Sequence, residues 1–130
     1  MPLLVRAFPL LPGKEGQLRM MAQELAGPRG DQARKFYRSL GVSHESWHFQ
    51  KTPQGEFVIA VTQLDDIEAR GEQYAASEDD FAEWFKARVR ALCGIDPDTQ
   101  PLGPPTEPLF EWKDGSENEE ETLRSLQRRA

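Results

Sequence analysis

The sequence has few of the residues that bind metals, form disulfides, track nucleic acids or span membranes. Its 130 residues include one cysteine, Cys93, and two histidines, which excludes an internal disulfide and leaves too few thiols for a structural zinc site. The formal net charge is −6, whereas duplex binding requires clustered lysine and arginine. No apolar run approaches the roughly 20 residues that cross a bilayer, and no secretory-signal pattern begins the chain. We expect a cytoplasmic protein without a metal, a cofactor, a nucleic-acid partner or a membrane segment.

What the chain does contain is typical of one globular domain. Apolar residues make up 38% and charged residues 29% of the sequence, which allows a packed core. From Asp114 onward the residues are almost wholly polar, and only Leu123 and Leu126 are available for burial. We therefore predict a domain over residues 1–113 and a polar, mobile tail over residues 114–130.

The spacing of the apolar residues predicts a mixed fold. Apolar or β-branched runs predict strands over residues 3–8, 56–63 and 109–112, and a period of two predicts a strand over residues 43–50. A period near 3.6 predicts two helical pieces between the first and second strands, and two more before the last. This order is that of the α+β, ferredoxin-like split β-α-β fold, a four-stranded antiparallel sheet with the helices on one face.

The alternation also predicts which side chains face the helices. We expect Trp47, Phe49, Phe57, Ile59 and Val61 to pack under them. The other face would then show Leu4, Arg6, Phe8, His44, His48, Val58, Ala60 and Thr62. Because that face is too apolar to remain in water, we predict a homodimer formed by this open face of the sheet.

The last helix and the segment after it carry a resemblance to a known group. Residues 77–96, SEDDFAEWFKARVRALCGID, are followed by a proline-rich link to PLFEW at residues 108–112. This pattern is similar to that of uncharacterised bacterial members of the dimeric α/β barrel superfamily. The resemblance implies ferredoxin-like subunits that pack sheet against sheet around a cavity. It does not imply one activity, because the superfamily includes cofactor-free monooxygenases, haem-binding enzymes, isomerases and stress-induced proteins.

Few residues are candidates for a functional site. Histidine is the residue type used most often for proton transfer and metal binding, but on a strand His44 and His48 lie roughly 13 Å apart, too far to share a metal ion. His48 is the candidate general base, and Arg6, which interrupts an apolar strand, is the candidate group for orienting a ligand. We expect Arg6, His44 and His48 to lie near any ligand beside the sheet. The alternative for Arg6 is a structural ion pair with Glu45 or Glu111.

Three functions are compatible with these residues. The first is binding of a small apolar or aromatic metabolite in a cavity beside the sheet. The second is a cofactor-free monooxygenase-like or haem-binding enzyme, and the third is a non-enzymatic stress-response or interaction module. An enzyme needs several convergent polar groups, and the sequence offers few. Whether the chain is an enzyme is therefore left open. Cys93 and Trp84 are assigned to the core, with Trp84 at its centre.

Overall fold

The structure is a computed structural model that describes residues 3–100, 103 and 106–114. In these ranges the chain forms three strands and four helices. Their order is β1 (Leu3–Leu10), α1 (Glu15–Ala26), α2 (Gly30–Ser39), β2 (Val42–Thr52), β3 (Gly55–Leu64), α3 (Ile67–Ala76) and α4 (Asp80–Cys93). Two helices follow β1 and two follow β3, as the sequence predicts, although only the first pair connects two strands. Among the described residues, no helix has the length and apolar character needed to cross a membrane.

The strands form one antiparallel sheet in the order β1-β3-β2. The predicted fourth strand is wrong, because residues 109–112 have no strand conformation and Leu109, Phe110 and Trp112 are 89%, 86% and 71% exposed. The Thr106 hydroxyl donates a hydrogen bond to the Val5 carbonyl, but no ladder follows from it. An apolar run favours extended backbone, but a strand also needs a partner edge to pair with.

The predicted faces of the sheet are correct for β2 and wrong for β1 and β3. Arg6 pairs with Ala60, and Ala60 pairs with Trp47, so these three side chains share one face of the sheet. That face lies under the helices and includes the buried Val58 and Thr62. Alternation along one strand cannot set the register between strands, and a shift of one residue exchanges the two faces.

Local signals account for where the helices begin and end. The side chain of Asp66 accepts a hydrogen bond from the Ala69 amide at the start of α3, and Asp79 accepts one from the Ala82 amide at the start of α4. Gly94, with φ of 70°, ends α4 in a left-handed conformation that favours glycine.

The helices cover the sheet with a cluster of aromatic rings. Phe36 of α2 lies 5.1 Å, between ring centroids, from both Phe81 and Phe85 of α4, and 5.8 Å from Tyr74 of α3. Trp84 is only half-buried and lies beside Phe81 at the margin of this cluster, with the Arg29 guanidinium 4.1 Å from its ring centre. The prediction that Trp84 occupies the centre of the core is therefore wrong, and Phe36 and Phe85 occupy it.

Candidate functional site

A cavity of about 100 Å³ separates the sheet from the helices. Its floor comes from the helix-facing side chains of all three strands, and its roof comes from α1, α2, α3 and α4. Most of the lining is apolar. The polar side chains that reach it are Arg6, Tyr37, Glu45, Thr62, Arg70, Tyr74 and Gln100. Ligand sites typically combine an apolar wall with a few placed polar groups in this way.

Three polar side chains on neighbouring strands form a buried chain in the cavity floor. Arg6 of β1 donates a hydrogen bond from Nη2 to Thr62 Oγ1 of β3 at 2.9 Å. The Thr62 hydroxyl in turn donates to Glu45 Oε1 of β2. Arg6 Nη2 also lies 3.8 Å from that same carboxylate oxygen, and Arg6 is 8% exposed. The strand register explains this contact. Glu45 pairs with Thr62, and Arg6 pairs with Ala60, which is two residues from Thr62 along β3.

Burial shifts the pKa values of Arg6 and Glu45, the two ionisable members of this hydrogen-bonded group. Desolvation lowers the pKa of Arg6, and the negative charge of Glu45 opposes that effect. Desolvation raises the pKa of Glu45, although Arg6 and hydrogen bonds from Thr62 and Trp47 act in the opposite direction. A carboxyl group whose pKa is raised keeps its proton at a higher pH than a solvated one. Glu45 is therefore suited to exchange a proton with a bound molecule.

Two tyrosines face the same space from the helices. Burial raises the pKa values of both Tyr37 and Tyr74, so each phenol keeps its proton and can donate a hydrogen bond. Both rings lie against Phe85, with centroids 6.3 Å and 6.1 Å from it, and Trp47 lies 6.0 Å from Phe85 on the sheet side. The cavity therefore has aromatic walls above and a hydrogen-bonding floor below.

The segment after α4 forms one side of the cavity. Ile95 and the exposed Gln100 line it. The segment is held by Lys86, which is 1% exposed and donates from Nζ to the carbonyl oxygens of Ala75 and Ser77, each at 2.8 Å, and to Asp98 Oδ1 at 3.0 Å. These bonds tie the α3–α4 connection to the wall of the cavity. They fix the position of that wall.

The structure does not bring the three predicted site residues together. Arg6 lines the cavity, whereas His44 and His48 are exposed on the opposite face of the sheet. There His48 Nε2 lies 3.0 Å from Ser46 Oγ. Of the two predicted acidic partners of Arg6, Glu45 makes the contact, and the carboxylate of Glu111 instead lies 3.4 Å from Lys113 Nζ.

Sequence reasoning missed Thr62 and Tyr74 as members of the site. The alternation pattern predicts Thr62 on the outer face because it assumes the wrong register, and no sequence pattern assigns Tyr74 to a site. One signal could have identified the floor. Arg6 and Glu45 each interrupt an alternating strand on the face that carries Phe8 and Trp47, and two opposite charges in apolar surroundings are expected to pair.

Cys93 is not activated as a nucleophile, and the described residues form no metal site. Cys93 lines it, but burial raises the pKa of its thiol to about 11, which keeps the nucleophilic thiolate scarce at neutral pH. Within residues 3–100, 103 and 106–114, no three histidine, cysteine, aspartate or glutamate side chains are grouped so that they could hold a metal ion.

Comparison with known proteins supports the fold and leaves the activity open. No family model matches the chain, and no curated protein matches it. The chain is similar in structure to an L-rhamnose mutarotase from Formosa agariphila, with a TM-score of 0.60 over 87% of this chain and 100% of the mutarotase. Sequence identity is 14%, so the similarity concerns the α+β fold alone.

Proposed function

We propose that this protein binds one small neutral molecule, with an apolar ring and one or two hydroxyl or carbonyl groups, in the cavity between sheet and helices. The observation that carries the proposal is the buried Arg6–Thr62–Glu45 chain in the floor of an otherwise apolar cavity. Protein cores are close-packed, and a buried ion pair stabilises them little compared with apolar side chains. Open space beside such a pair is therefore better explained by a ligand than by packing.

The charges and the size of the cavity narrow the class of ligand. Arg6 and Glu45 neutralise each other, so an anionic ligand would have to displace Glu45 from Arg6. A cavity of about 150 Å³ holds benzene in another protein, and the cavity here is about 100 Å³. That volume admits one small ring at most. It is far too small for a haem, which a haem-binding enzyme would require but a cofactor-free monooxygenase would not.

A second candidate function is interconversion of sugar anomers. The Glu45 carboxylate, whose basicity burial increases, could take the proton of the anomeric hydroxyl of a pyranose, while the phenol of Tyr37 or Tyr74, which line the same cavity, gives a proton to the ring oxygen and the bond from that oxygen to the anomeric carbon breaks. Closure on the other face of the carbonyl returns both protons. The structural similarity to an L-rhamnose mutarotase makes L-rhamnose the sugar to test. Exchange between its two anomers can be followed by NMR saturation transfer, and Glu45→Gln should abolish any acceleration.

Trp47 provides a direct test of ligand binding because its ring lines the cavity. We expect phenol to change Trp47 fluorescence saturably in a Trp84→Phe/Trp112→Phe background. Glu45→Gln or Thr62→Val should weaken phenol binding at least about tenfold, because a buried hydrogen bond to a charged group contributes about 1.5–3 kcal/mol. Benzoate should bind more weakly than phenol.

The control for the charge change is Glu56→Gln. Glu56 lies on β3, the strand next to that of Glu45, and is half-buried, but its carboxylate is near Lys51 and does not line the cavity. This variant should bind phenol as the unmodified chain does. Equal loss in Glu45→Gln and Glu56→Gln, or no saturable signal from Trp47, would contradict the proposal.

We also propose that the protein is a homodimer through the outer face of the sheet. The residues on this face are not those expected from the sequence but Val5, Ala7, Phe57, Ile59 and Val61. In the single chain these side chains are only half-buried, whereas the helices cover the opposite face of the sheet. Val61→Glu should convert a particle of twice 14.8 kDa to a monomer in light scattering. Gln63→Glu, an exposed position on the same face, should leave the mass unchanged.

A further inference from the structure

Residues 106–114, here called the arm, carry large apolar side chains into solvent. Phe110 is 86% and Trp112 is 71% exposed. Isolated apolar side chains on a protein surface are common, but neighbouring aromatic rings at this exposure mark an interaction site. We therefore expect the arm to bind another surface.

The arm has two unlike sides. Lys113 Nζ lies 3.4 Å from Glu111 Oε1, so these two side chains, two residues apart, point to the same side of an extended backbone. Phe110 and Trp112 alternate with them and therefore share the opposite side. One side of the arm therefore carries Glu111 and Lys113 together with the exposed Leu109, and the other carries the two aromatic rings.

The arm begins at the edge of the sheet. The hydroxyl of Thr106 donates to the carbonyl of Val5 on β1, which is an edge strand. The side chain of Val5 belongs to the outer face of the sheet, together with those of Ile59 and Val61. From Thr106 an extended chain reaches Trp112 in about 20 Å. In a face-to-face pair with sheets roughly 10 Å apart, that reach extends to the second copy.

We infer that the arm of each copy packs Phe110 and Trp112 against the margin of the outer sheet face of a second copy, beside the area where the two sheets meet, with the copies related by a two-fold axis. The inference rests on the homodimer proposed above and adds the element that holds it together. A buried aromatic side chain removes about 150–250 Å² from water, so four rings supply about 600–1,000 Å². This is a large part of the roughly 1,200–2,000 Å² of a stable interface.

The test uses Trp112 as the single tryptophan. In a Trp47→Phe/Trp84→Phe chain, acrylamide quenching of Trp112 is measured over a dilution series in parallel with particle mass by light scattering. We expect quenching to be at least about threefold weaker in samples of twice the chain mass than in diluted monomer. Phe110→Ser should raise the dimer dissociation constant about tenfold or more, as expected for a central aromatic contact. Glu111→Gln, on the charged side, should change it less than twofold.

Each failure has a separate meaning. Full quenching of Trp112 in a dimer would overturn the arm contact while the homodimer stands. Protection of Trp112 in the monomer would place the arm on its own chain and overturn the inference. A monomer at every concentration would overturn both the homodimer and the arm contact.

Discussion

Replacing Arg6 by methionine should destabilise the fold strongly at neutral pH. The side chain of Arg6 is 10% and that of Glu45 is 14% exposed, so the substitution leaves a buried carboxylate without its cation. Removing one partner of a buried pair costs about 3–5 kcal/mol. For a chain of this length the loss corresponds to roughly 10–20 °C in melting temperature. The double variant Arg6→Met/Glu45→Met should lose much less, because neither charge is then left unpaired.

The cost of Arg6→Met should depend on pH in a defined direction. The pKa of Glu45 is already raised by burial, and loss of the neighbouring cation raises it further. At pH values between the ordinary glutamate pKa in the unfolded chain and the raised pKa of Glu45 in the folded chain, the folded state binds more protons than the unfolded state. Stability therefore falls as pH rises through this range. The variant should therefore be closest to the unmodified chain at about pH 4 to 5, and furthest from it above the folded pKa of Glu45.

Urea unfolding followed by circular dichroism at pH 5 and pH 8 measures both effects. Three chains are compared, namely the unmodified protein, Arg6→Met and the double variant. A loss under about 1 kcal/mol in Arg6→Met at pH 8 would show that Glu45 is solvated. An equal loss at both pH values would show that Glu45 does not take up a proton when Arg6 is removed.

Three further predictions concern the helices. Lys86→Met should cost about 2–4 kcal/mol in urea unfolding, because it removes the hydrogen bonds of buried carbonyl oxygens, whereas Arg90→Met, at an exposed ion pair, should cost under about 1 kcal/mol. Trp84→Ala should cost about 2 kcal/mol, below the 3–5 kcal/mol usual for a fully buried ring, and a larger loss would place Trp84 in the core. Because burial raises the pKa of Cys93 to about 11, its reaction with a disulfide reagent at pH 8 should be on the order of 100-fold slower in the folded than in the urea-unfolded chain.

The order of strands and helices could be predicted from sequence because it depends on local periodicity. Both helix pairs and the β2–β3 hairpin are of this kind. The absence of a fourth strand could not be predicted, because an apolar run such as residues 109–112 is compatible either with strand pairing or with exposure to solvent. The arrangement of the two sheet faces also depends on long-range pairing, as Arg6 opposite Ala60 illustrates. The tail predicted for residues 114–130 lies outside the described residues apart from Asp114.

The candidate site was predictable only in part, for the same reason. Arg6 stood out as a charge in an apolar strand, and Glu45 was one of its two expected partners. His48 was grouped with Arg6 because of the register error, although the two lie on opposite faces. Thr62 and Tyr74 belong to the site through contacts between strands and helices that are distant in sequence. The spacing of apolar residues within one strand or helix does not predict such contacts.

A crystal structure of the protein soaked in phenol shows whether the cavity holds a small neutral ring. We expect density for the ring beside Trp47 and Phe85, with the phenol hydroxyl within hydrogen-bond distance of Glu45 or Thr62. An empty cavity at saturating phenol, or phenol bound only on the outer surface, would overturn the proposed binding function and favour the non-enzymatic interaction module instead.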